Sequence, residues 1–67
     1  MNKLSQDKVE ELKEKIQYCR DRDEYLNDRE RGFLESIQDG IYKYNNLTWP
    51  QQKNLLKIHT KIIMKQG

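Results

Sequence analysis

Four lysines near the end of the chain, Lys53, Lys57, Lys61 and Lys65, recur at every fourth residue. On a helix each such step drifts by about 40°, so the four form a slanted stripe about 120° wide. A cationic stripe attracts nucleic-acid phosphates or an acidic protein surface, and it is also what an ordinary solvated helix face looks like. Base-specific readout draws on arginine, asparagine or glutamine. Among these lysines only Asn54 is suitably placed.

His59 and Cys19 are the chain's single histidine and single cysteine. His59 falls in the middle of an apolar helical arc. There it reads either as an acid–base group or as a packed histidine hydrogen-bonded to a neighbour such as a tyrosine hydroxyl. Cys19 lies beside Arg20 and Arg22, which would lower its pKa if it were exposed; buried, it is a small apolar residue. One cysteine makes no internal disulfide, and one histidine adds too little for a zinc set. The acidic cluster Asp21, Asp23, Glu24, Asp28 and Glu30 is interrupted by arginines and lacks the spacing of a calcium loop. No constellation meets the geometric needs of catalysis, so neither an enzyme nor a cofactor is expected.

The aromatics offer a different chemistry. Tyr42, Tyr44 and Trp49 flank one turn beside Lys43. Such side chains stack on bases, anchor protein interfaces, or close the end of a helical hairpin, the last being the simplest expectation.

These residues must be positioned by a small scaffold. The chain has 67 residues, 34% of them hydrophobic and 36% charged. A fold of this size buries roughly 60% of its unfolded surface, so self-association or docking is a common source of added stability. The net charge of +2 hides an asymmetry: residues 1–39 carry −3, and the rest carries +5 with no acid at all. Such a split hints at an acidic or polyanionic partner. No apolar run approaches the ~20 residues of a membrane span, and no signal-peptide core is evident. With a lone cysteine, a reducing cytoplasmic compartment and no membrane association are expected.

Periodicity predicts three helices. Val9, Leu12, Ile16 and Cys19 make a narrow seam on the first, capped by Ser5 or Asp7. Leu26 would extend the seam if the helix continued past Asp23. Asn27 and Glu30 have capping-box spacing and open the second helix, along which Phe33, Leu34, Ile37, Ile41 and Tyr44 recur. Gly32 and Gly40 lower its propensity by ~1 kcal/mol each; close helix approach, or at Gly40 a loosened last turn, is their expected use. Asn45 and Asn46 make a turn. Thr48 and Gln51, with Pro50 in the first turn, open the third helix. Its residues Leu55, Leu56, Ile58, His59, Ile62 and Ile63 fall within an apolar arc about 160° wide.

Phe33, Leu34, Ser36 and Ile37, followed after a polar turn by Leu47, Thr48, Gln51, Leu55 and Ile58, resemble a pattern of small phage-encoded or phage-related helical proteins. The resemblance covers about half the chain and omits the first helix. It implies an antiparallel helical hairpin and, for a phage protein, a host factor as partner and the host cytoplasm as location. It carries no catalytic residues.

The expectation is therefore an all-α, three-helix protein forming a single domain, with helices near 6–22, 28–43 and 49–65. The second and third form a hairpin, onto which the first folds or against which it swaps into a second copy. A homodimer would use Val9, Leu12, Ile16 and Cys19 for self-association. A partner, protein first and nucleic acid as the alternative, would meet Lys53, Lys57, Lys61, Lys65, Tyr42, Tyr44 and Trp49.

Overall fold

Helix α1 spans Gln6–Asp21, α2 Asp28–Tyr44 and α3 Trp49–Gln66 in the computed structural model, which describes residues 4–66. A turn of 3-10 helix at Asp23–Tyr25 joins α1 to α2. No strand occurs among the described residues. The protein is an all-α, three-helix fold, as the periodicity predicts.

Each helix begins where a side chain satisfies orphan backbone donors. Ser5 Oγ accepts from the Lys8 amide at 3.2 Å and starts α1. Asn27 accepts from the Glu30 amide at 2.8 Å while the Glu30 carboxylate accepts from the Asn27 amide at 3.1 Å, a complete capping box. Thr48 and Gln51 repeat the arrangement for α3, at 3.3 and 2.9 Å. α2 ends at Asn45, whose φ of 54° and ψ of 36° place it in the left-handed region. Asparagine tolerates that conformation better than most residues.

The core draws on all three helices. Val9, Leu12, Ile16 and Cys19 of α1 meet Leu34, Ile37 and Ile41 of α2 and Leu55, Ile58 and Ile62 of α3. Leu26 and Leu47, from the two connections, close its ends. Leu26 is therefore buried although α1 stops at Asp21. The chain reverses through the short 3-10 turn and folds the leucine back.

α1 lies on both other helices and packs extensively against each, while α2 and α3 touch one another less. The seam Val9, Leu12, Ile16 and Cys19 is at most 3% exposed. It is covered by α2 and α3 of the same chain, one of the two arrangements that the sequence left open. A narrow stripe needs a neighbour, and its own chain supplies two.

The glycines differ from expectation. A Cβ at Gly32 or Gly40 would meet nothing within 4 Å. Neither position marks a close helix approach.

Candidate partner-binding surface

The lysine stripe is divided. Lys53, Lys57 and Lys65 are exposed, and among the described residues no carboxylate lies within ion-pairing distance of them. Lys61 is half-buried, its Nζ 2.6 Å from both carboxylate oxygens of Glu30 on α2. Burial pushes the Glu30 carboxyl up, but hydrogen bonds from Lys61 and the Asn27 amide, with the charges of Lys61 and Lys65, outweigh it and hold the pKa below its ordinary value. Lys61 thus bridges α2 and α3, unlike the other three lysines of the stripe. The two residues lie far apart in sequence, so no local spacing announces the pair.

The apolar arc of α3 is divided too. Leu55, Ile58 and Ile62 enter the core, whereas Leu56 is 53% and Ile63 46% exposed. Trp49 and Met64, at 71% and 74%, continue this uncovered apolar surface. At 100° per residue Ile63, Leu56 and Trp49 fall within about 40° of one another, along one edge of the arc that holds Leu55, Ile58 and Ile62. They recur at seven-residue intervals. Leu56 is shared by two grooves. One, between α1 and α3, is lined by Lys8, Leu12, Lys15, Trp49, Lys53 and Leu56, among others. The second, on α3 itself, is lined by Leu56, Lys57, Thr60, Lys61, Met64 and Lys65. The two make one track along the helix.

Lys8 and Lys15 reach the α1 side of this track and share Glu11 between them, at 3.0 and 2.9 Å. Their hydrogen bonds and charges bring the Glu11 carboxyl down to about 2. Two cations on one carboxylate leave that rim positive across the neutral pH range.

The three aromatics do not form a common patch. Tyr42 lies under Lys13 of α1, whose Nζ is 4.7 Å from the ring centroid. Tyr44 lines a separate groove with Gly40, Leu47 and Thr48. Trp49 lines the α1–α3 groove. All three are more than half exposed, so the hairpin end is not closed by packing them together as expected. Tyr42 and Tyr44 stand about 160° apart around α2 because two residues turn a helix by 200°.

His59 and Cys19 have structural surroundings. His59 packs on Tyr18 with ring centroids 4.9 Å apart, tilted by 54°. The expected tyrosine hydrogen bond to His59 is replaced by one from Tyr18 Oη to Gln66 Oε1 at 2.9 Å. Arg22 covers Tyr18, its guanidinium carbon 3.6 Å from the ring centroid. Burial, then the charges of Lys15 and Arg22, lower the His59 pKa from 6.5. Cys19 is fully buried, and desolvation raises its thiol to about 11 against the pull of Arg22. A thiol so placed is a poor nucleophile at neutral pH. Among the described residues no three or more histidine, cysteine or acidic side chains converge as a metal set, and no helix is long and apolar enough to cross a membrane.

No protein-family model matches the chain, and comparisons with curated proteins and with solved structures give no match.

Proposed function

We propose that this chain is a small non-catalytic regulatory protein that binds another protein through the outward surface of α3. The observation that carries the reading is the exposure of Trp49, Leu56 and Met64 beside a core that is already complete without them. Large apolar side chains held clear of a finished core, rimmed by charge, are the composition of an interface. The resemblance to phage-encoded helical proteins supports a host protein as the partner and the cytoplasm as the place of action. Dimerisation is not needed to cover the α1 seam.

Nucleic-acid binding by the same helix is the weaker reading. Lys61 is engaged by Glu30, and the free lysines alternate with Leu56, Thr60 and Met64 rather than with arginine or stacking aromatics.

The test is affinity capture from nuclease-treated lysate of the source cells or of a phage host. It compares the native chain, a Leu56→Glu/Met64→Glu variant and a Glu35→Ala control on the exposed side of α2. The expected result is a polypeptide retained by the native chain and the control but lost with the α3 variant. Retention insensitive to the α3 change, or binding that disappears on nuclease treatment, overturns the reading. Circular dichroism of each variant confirms that the fold is retained.

A further inference from the structure

We infer that the occupant of the α3 track is a single amphipathic helix with an apolar seam and acidic residues on both flanks. This inference rests on the protein-binding reading above and specifies its partner.

The geometry of the track argues for a helix. Trp49, Leu56 and Ile63 repeat every seven residues, and Met64 lies one helical position beyond Ile63. A seven-residue apolar repeat keeps a stripe nearly straight along a helix and matches the seam of a second helix crossing at about 20°. From Trp49 to Lys65 the rise is about 24 Å, enough for more than four turns of a partner. A helix lying there would set its own i, i+3/i+4 and i+7 anchors into the apolar stripe.

The charges argue for acid on both flanks. Lys53 and Lys57 follow one side of the stripe, with Lys65 farther round the helix beside Met64, and Lys8 and Lys15 of α1 line the other side beside Trp49. Glu11 offsets one charge of the α1 pair. α3 itself carries no acidic residue. A carboxylate brought to either rim would gain attraction without displacing an existing partner of Lys53, Lys57 or Lys65. The same charges disfavour a second copy seated symmetrically, because lysine row would then oppose lysine row.

The test uses peptides of about five turns, ~18 residues at 3.6 per turn, with leucines on one face. In one peptide glutamates flank the leucines; in a second the glutamates are replaced by lysines; in a third the leucines are replaced by alanines. Trp49 is the chain's single tryptophan and sits in the track, so its fluorescence reports occupancy directly. The glutamate–leucine peptide should shift Trp49 emission to the blue and bind at least tenfold more tightly than either of the others, a difference of ~1.4 kcal/mol. Leu56→Glu/Met64→Glu should abolish that preference while leaving the helical signal intact. Equal binding of all three peptides, or no binding of the acidic one, overturns the inference. So does saturable binding instead to an oligonucleotide or to vesicles of phosphatidylglycerol, or a concentration-dependent mass showing self-association through the face. If the acidic peptide fails while lysate capture still depends on Leu56 and Met64, only the helical, acidic character of the partner is wrong. If capture is also insensitive to these residues, the protein-binding reading falls with it.

Discussion

Lys61 on α3 and Glu30 on α2 form a two-pronged contact, the ammonium 2.6 Å from each carboxylate oxygen. The same carboxylate caps α2 through the Asn27 amide. One side chain therefore fixes both the start of α2 and its attachment to α3. Glu30→Gln keeps the capping geometry and removes the charge; it should lower stability by about 0.5–1 kcal/mol, the scale of a partly exposed ion pair. Glu30→Ala removes both functions and should cost about 1–2 kcal/mol. Denaturant unfolding of both, and of the Lys61→Met pair with each, separates cap from bridge. Equal losses for Gln and Ala would show that the cap contributes nothing.

Acid should lower the stability of the protein in two stages. His59 has its pKa lowered below 6.5 by burial and by Lys15 and Arg22. Its contribution is therefore complete above pH 6.5 and is lost as the pH falls through the depressed folded value. The Glu30 pKa is lowered from 4.5, so its contribution is complete above that pH and disappears only on further acidification. Both losses have the same sign. Thermal unfolding across this pH range should show the upper stage vanish in His59→Phe while the lower stage remains. An upper stage that persists without the imidazole would assign it to another group.

The two glycines of α2 should be replaceable with profit. Neither has a positive φ, and the space for a Cβ is open at both. Gly32→Ala and Gly40→Ala should each stabilise by about 0.5–1 kcal/mol, because alanine loses less backbone freedom on forming a helix. Urea midpoints are the measurement. A loss of stability at either site would mean that the backbone there needs the freedom of glycine.

The α1 seam should behave as core, not as interface. Ile16→Ala leaves a cavity among residues of all three helices and should cost about 2–5 kcal/mol. A chain of this length holds only about 3–10 kcal/mol in total, so the variant should be close to unfolding. The loss should not depend on protein concentration. Stability that rises with concentration in the native chain would restore the dimer expected from the seam alone. Cys19 gives an independent readout: its thiol should resist alkylation until denaturant exposes it.

The helices were legible because their ends are written in local chemistry. Asn27 with Glu30 and Thr48 with Gln51 mark two starts, and Asn45 marks a stop, each within a few residues. What sequence did not reveal was which part of an apolar arc meets a neighbour. Leu55 and Leu56 are chemically identical, yet one is in the core and the other in solvent. That difference follows from how α3 is rotated against α1, which no spacing within α3 encodes. The Lys61–Glu30 pair was hidden for the same reason, being made between helices. The seam of α1 was legible as apolar and in need of a neighbour, but whether its own chain or a second copy supplies it was not, because its covering surfaces come from helices later in the chain. The uncovered apolar stripe left one trace in the sequence, the seven-residue recurrence of Trp49, Leu56 and Ile63. It was obscured because Leu56 and Ile63 also fit the edge of the α3 core arc.

The most direct test of the account is site-specific photo-crosslinking in the source cells, with a photoreactive residue placed in turn at positions 53, 56, 60 and 64 and, on the exposed sides of α1 and α2, at 10, 14, 35 and 39. The account expects protein adducts of one mass from the four α3 positions, diminished when Trp49 is changed to alanine, and none from the other four. Adducts concentrated on α1 and α2, or nuclease-sensitive adducts from α3, would contradict it.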